Sequence, residues 1–195
     1  MKLVVGITGA SGAPYARATL AALVAARKTR PIELAVVLSS TAQEVWSTEL
    51  EGDLEEHVRS LDIPVFRGRD YRAPFASGSA KWDSMVIVPC SMSTVARIAH
   101  GTSDSLLTRA ADVILKERRR LVLVPRETPL SVIHLENLLT VARAGAVVLP
   151  AMPSFYARPR GVDDVLHSVV GRILDQLGLD DPRTARWGTP AKEVP

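Results

Sequence analysis

The chain has 195 residues, 47% of them hydrophobic and 23% charged, an ordinary globular balance with enough length to bury one substantial core. Its 24 Lys and Arg against 21 Asp and Glu leave a net charge of +3, too small and too dispersed to specify a nucleic-acid surface. One cysteine excludes an internal disulfide framework, and no apolar run approaches the roughly 20 residues of a membrane helix.

Lys2-Leu3-Val4 begins strand-like, without the basic, apolar and small-residue order of a secretory signal, so a cytoplasmic protein with no membrane association is expected. The apolar run Leu3 to Ile7 stops at Thr8-Gly9-Ala10-Ser11-Gly12, and Pro14 then opens an alanine-rich helical pattern. A strand, a glycine turn and a helix start in that order suit an anion, because close backbone approach, free N–H groups and the helix dipole act together. The Gly-Lys-Ser/Thr ending of a nucleoside triphosphate loop is absent, since Ala13-Pro14-Tyr15 follows Gly12. The spacing Gly6, Gly9, Gly12 is not G-x-G-x-x-G, and the next run, "IELAVVLSS", ends in Ser39-Ser40 where a dinucleotide site needs a carboxylate. A turn that serves only strand-to-helix packing is the remaining alternative.

Further Val-, Ile- and Leu-rich runs follow at Leu34 to Leu38, Ile63 to Phe66, Met85 to Val88, Leu121 to Val124 and Val147 to Leu149, with helical patterns between them. Continuously apolar strands alternating with helices predict an α/β, doubly wound parallel sheet of about six strands, a Rossmann- or flavodoxin-like three-layer sandwich. One domain over residues 1–179 and a C-terminal tail over 180–195 are expected, with Trp187 as a candidate anchor. Ligands of such folds lie at the carboxyl ends of the strands. Those ends read Gly9 to Gly12, Ser39-Ser40, Pro89 to Thr94, Pro125 to Thr128 and Pro150 to Pro153. Ser91 and Ser131 are candidate helix N-caps. Arg126-Glu127 offers anion binding beside proton transfer, or a structural ion pair.

Gly68 to Ser79, "GRDYRAPFASGS", has no periodicity and is expected to be a functional loop or a subunit contact. The cluster Lys116, Arg118, Arg119, Arg120 is expected to close a helix. His57, His100, His134 and His167 have no metal-ligand spacing, so no metal is predicted. Cys90, at a strand end, is read as a small buried residue rather than a nucleophile.

With these motifs in place, the chain closely resembles the UbiX-type flavin prenyltransferases. The resemblance rests on "GITGASGA", "ASGS", "PCSMST", the long block "TRAADVILKERRRLVLVPRETPLSVIHLEN" from Thr108 to Asn137, "LPAMPSFY" and "RILDQLG", in the family's order over most of the chain. It implies FMN, in reduced form, as the acceptor of a dimethylallyl group from dimethylallyl phosphate. Gly9, Ala10, Ser11, Ser39, Ser91, Met92, Ser93, Thr94, Arg109 and Arg126 are then expected to bind the flavin. Lys116, Arg126, Tyr156 and Arg172 are expected to bind the substrate phosphate, with Glu127, Glu49 and Ser11 acting in catalysis. It further implies a homo-oligomer, a dodecamer by the family pattern, and a product passed to a UbiD-type decarboxylase. No metal is implied, because basic residues can balance a monophosphate. Two departures stand out: Tyr71 replaces a frequent tryptophan, and Gly161 replaces a Ser or Thr cap. Two other readings are an FMN-dependent cysteine decarboxylase, which would carry a "PASANT"-like segment instead of "PCSMST", and an FMN-binding accessory subunit of an aromatic-acid decarboxylase.

Overall fold

A computed structural model describes residues 1–184 and 186–188. Six strands form one sheet: β1 (Lys2–Ile7), β2 (Glu33–Leu38), β3 (Val65–Arg67), β4 (Ser84–Cys90), β5 (Arg120–Pro125) and β6 (Val147–Val148). Seven α-helices lie between and after them: α1 (Ala13–Ala26), α2 (Ala42–Glu49), α3 (Leu54–Ser60), α4 (Met92–Ala99), α5 (Leu106–Lys116), α6 (Val132–Arg143) and α7 (Val162–Gln176). The order is β3-β2-β1-β4-β5-β6 and every pairing is parallel, so the expected doubly wound sandwich is found.

Both faces of the sheet are covered, which is why its strands read as unbroken apolar runs. Alternate side chains of one strand enter different cores. Leu3, Val5 and Ile7 pack with Leu20 and Leu23 of α1 and Ile173 and Leu174 of α7. Val4, with Val37 and Ile87, packs with Val95 of α4 and Leu106 and Ile114 of α5. The chain leaves β1 for β2 on one side and returns to β4 on the other. This topological switch opens a crevice at the carboxyl ends of β1 and β4.

One local reading changes. Helix α5 ends at Lys116, before the basic cluster does: Arg118 turns with φ +55° and Arg120 already begins β5. In the segment Gly68 to Ser79, the 3-10 turn Pro74–Ala76 buries Phe75 and Ala76, with Ala73 buried just before it, and Phe75 meets Phe66 and Trp82 edge-on, while Gly68 to Arg72 are exposed. The tail is anchored in part: Thr184 packs where a Cβ on Gly171 would lie, Arg186 pairs with Asp175, and Trp187 meets Tyr156 edge-on. The expected tail's remaining residues, 185 and 189–195, lie outside the described residues. Among the described residues, no helix is long and apolar enough to cross a membrane.

Candidate active site

The turn after β1 brings the chain into α1 through Gly12, whose φ of +131° is a backbone state that side chains disfavour. The helix N-terminus that this creates already holds an anion. Glu49, the last residue of α2, accepts the Gly12 N–H at 2.8 Å and the Ala13 N–H at 2.7 Å, and takes a further hydrogen bond from the Ser11 hydroxyl. Arg126, just beyond β5, donates from Nε to the Ser11 carbonyl at 2.8 Å. Burial pushes the Glu49 carboxyl up. The bonds from Ser11, Gly12 and Ala13 and the positive charge of Arg126 outweigh that and hold it below the ordinary carboxylate value. A protein carboxylate thus takes the Gly12 and Ala13 N–H groups at the α1 N-terminus, tied to Ser11 and beside Arg126.

The neighbouring crevice is lined with hydroxyls. Ser91 caps α4 by accepting the Thr94 N–H, and its hydroxyl lies 3.1 Å from that of Ser93 and 3.0 Å from that of Thr94. Ser131 caps α6 in the same way. Thr8, buried at the end of β1, donates to the Pro89 carbonyl at 2.7 Å and accepts the Ser91 N–H at 2.8 Å, locking the two strand ends together. Ser39 lies 3.4 Å from the Thr41 hydroxyl, and a Cβ added to Gly9 would collide with Thr41. Met92 and Ala10 are buried. This donor set fits FMN: hydroxyls and backbone polar groups at a switch point suit a flavin's ring edge and polyol, and Arg126 supplies positive charge.

Arg109, Lys116, Tyr156, Arg172 and Glu127, the remaining expected residues, are spread over other parts of the chain. Arg109 donates to the Ala76 carbonyl at 3.2 Å and pairs with Asp112 at 3.0 Å, on the first half of α5. Helix α5 starts at the carboxyl edge, where the Leu106 N–H meets the Gly68 carbonyl just past β3, and runs back toward the start of β5. Lys116 closes its 11 residues and so lies about 15 Å along the axis, at the opposite edge of the sheet, paired with Glu117 at 2.6 Å. Within one chain it lies away from Ser11 and Arg126.

Arg172 pairs with Asp175 at 2.6 Å; Asp175 also pairs with Arg186, and the next residue, Trp187, stacks edge-on against Tyr156 at 5.4 Å between centroids. That chain of contacts brings Tyr156 and Arg172 into one neighbourhood. Glu127 is exposed and accepts the Thr128 N–H at 3.0 Å, so it and Arg126 each bond elsewhere. Tyr71 is half exposed, its hydroxyl facing the Ser103 carbonyl at 3.5 Å. Cys90 is fully buried, and burial pushes its thiol well up, which suits the packing role. Sequence reasoning gave no site role to Thr8, although it opens the turn after β1, or to Thr41, and missed the capping role of Glu49. An acidic residue closing α2 was the only hint of the latter.

The family model described as Flavoprotein matches residues 1–174. The flavin prenyltransferase UbiX of Methanocaldococcus jannaschii is 44% identical over 97% of this chain and 100% of its own length. The solved dodecameric FMN-dependent UbiX-like decarboxylase of Escherichia coli O157:H7 is 46% identical, with a TM-score of 0.91 over 97% of this chain and 100% of that one. AnUbiX (PadA1), solved in complex with FMN and dimethylallyl pyrophosphate, is 43% identical, with a TM-score of 0.89 over 97% of this chain and 98% of that one. With a fold, a strand-end site and full-length relatives that agree, the chain belongs to the UbiX flavin prenyltransferase family.

Proposed function

We propose that this protein joins the dimethylallyl group of dimethylallyl phosphate to N5 and C6 of reduced FMN, and that the prenylated flavin serves a UbiD-type decarboxylase in the cytoplasm. The observation that carries the reading is the Ser11, Glu49 and Arg126 cluster at the switch point, a proton-accepting carboxylate beside a fixed cation in a hydroxyl-lined crevice. With reduced flavin bound, the allylic C–O bond would break and phosphate leave as N5 bonds to the terminal carbon and gives up its proton; protonation of the remaining C=C bond would then let C6 form the C–C bond as its own proton is removed.

The chain's own residues do the rest. Ser11, held by Glu49 and by Arg126 through its carbonyl, presents its hydroxyl in one fixed orientation. Glu49, kept ionised by its donors, accepts a proton through Ser11, and Glu127 at the crevice mouth passes protons to solvent. Arg172 and Lys116 balance the charge of the departing phosphate, and Tyr156 and Tyr71 offer π-faces to a developing allylic cation.

Because Lys116 and Ser11 lie at opposite edges of the sheet, a site that uses both needs a second copy of the chain. An apolar surface supports such assembly. Val132, Ile133, Leu135 and Leu139 of α6 are each at least half exposed, as are Met152 and Phe155 of the loop that follows β6. The dodecameric relative supports the same reading.

Anaerobic incubation with reduced FMN and dimethylallyl phosphate tests the proposal. The expected product is a flavin heavier by one dimethylallyl unit. Flavin recovered unchanged would leave the protein as an FMN-binding accessory subunit.

A further inference from the structure

Helix α7 carries a carboxylate where its own dipole disfavours one. Asp175 stands in the last turn of Val162–Gln176, the end that attracts cations, and no basic residue occupies that turn. The helix is fixed in place: Val169, Val170, Ile173 and Leu174 are buried in the core, and Gly171 gives room to Thr184. Asp175 is held with it, its side chain only 15% exposed. Two arginines meet its charge. Arg186 forks its two terminal nitrogens onto the two carboxylate oxygens, at 2.7 Å each. Arg172, one turn earlier on α7, adds Nη1 at 2.6 Å.

The two arginines are engaged unequally. Arg186 commits both terminal nitrogens to Asp175, whereas Arg172 commits one, keeps Nε and Nη2, and is 58% exposed. One carboxylate between two guanidiniums leaves positive charge in excess, and Arg172 is the partner that presents it. Trp187, next to Arg186, lies edge-on to Tyr156 at 5.4 Å between ring centroids, so the fork that holds Arg186 also keeps an aromatic pair close to that cation. A long side chain already held in one orientation loses less rotamer freedom when it grips an anion than one that is not.

We propose that Asp175 is a positioning residue for the phosphate of the prenyl donor, acting directly on Arg172 and, through Arg186, on the pairing of Trp187 with Tyr156. The inference rests on the assignment of Arg172 and Tyr156 to that phosphate above, and adds Asp175 and Arg186, which that assignment leaves out. Asp175 itself touches neither flavin nor phosphate. Its opposite role is equally definite: a carboxylate that merely competes with the phosphate for Arg172 would weaken binding, and its removal would strengthen it.

The test uses the full-length protein loaded with oxidised FMN, which binds the donor without consuming it. Affinity for dimethylallyl phosphate is measured by calorimetry and affinity for FMN by flavin fluorescence, for wild type, Asp175→Asn, Asp175→Glu and Arg186→Gln. Asp175→Asn is expected to weaken dimethylallyl phosphate binding about tenfold while FMN affinity stays within about twofold of wild type. Asp175→Glu keeps the charge and is expected to bind the donor within about threefold of wild type. Unchanged or tighter donor binding in Asp175→Asn would overturn the inference. So would equal losses for donor and flavin, which mark a general defect of the fold, or no recovery in Asp175→Glu. Arg186→Gln leaves α7 and its core untouched and decides the matter should Asp175→Asn fail to fold: about threefold weaker donor binding is expected, and unchanged binding would overturn the inference. Wild type that holds FMN but takes up no dimethylallyl phosphate would instead overturn the assignment of Arg172 and Tyr156.

Discussion

Glu49 and Ala13 stand 36 residues apart in sequence, and the carboxylate of one accepts the backbone N–H of the other at 2.7 Å, closing the amino end of α1. The same carboxylate takes the Gly12 N–H and the Ser11 hydroxyl, so the residue that caps the helix also orients the site.

Removing the charge while keeping the shape separates these two roles. Glu49→Gln is expected to lower the melting temperature by about 2–4 °C near neutral pH, through weaker bonds at the helix end. The pH dependence has a definite sign. The Glu49 carboxyl is depressed in the folded protein, so its contribution is present above its ordinary value of 4.5 and is lost as pH falls through the lower folded value. Thermal melts of wild type and variant should therefore converge on acidification below pH 4.5. A difference that persists undiminished at acid pH would assign the loss to packing instead.

Gly9 faces Thr41 so closely that a Cβ has no room. Gly9→Ala is expected to destabilise the protein by about 1–3 kcal/mol, or to displace the turn and weaken flavin binding. Thr41→Gly should rescue the double variant, because the obstructing atoms belong to the Thr41 side chain. Denaturant unfolding of the four proteins gives the coupling, and a strictly additive result would contradict the contact.

The edge-to-edge separation of Ser11 and Lys116 makes a complementation experiment possible. Ser11→Ala and Lys116→Ala are each expected to lose most prenyl transfer. Co-folding the two inactive chains should restore activity, because some sites in the mixed assembly draw Ser11 from one copy and Lys116 from another. Activity that stays lost in verified mixed oligomers would contradict a site shared between chains.

Much of the architecture was legible because burial on both sheet faces leaves long apolar runs, as in Leu34 to Leu38 and Leu121 to Val124. The edge strand β3 was faint because only Val65 to Arg67 pair, with one neighbour. The end of α5 was misjudged because Arg118 adopts a left-handed turn without the glycine that usually marks one. Strand-end hydroxyls such as Ser91 and Ser93 were visible, since topology alone puts them at the crevice. The reach of Glu49 back to Gly12 and the separation of Lys116 from Ser11 depend on how helices return across the sheet, and residue spacing carries no record of that.

In the proposed reaction Ser11, Glu49 and Arg126 carry prenyl transfer rather than only holding the flavin. The most direct measurement mixes purified wild type and Ser11→Ala, each loaded with reduced FMN under anaerobic conditions, with dimethylallyl phosphate, and follows the flavin by stopped-flow absorbance and mass spectrometry. Wild type is expected to convert its flavin to a product heavier by one dimethylallyl unit, and Ser11→Ala to bind FMN but convert it at least about tenfold more slowly. Equal conversion by both proteins would contradict the role given to the cluster, and unchanged flavin in wild type would contradict prenyl transfer itself.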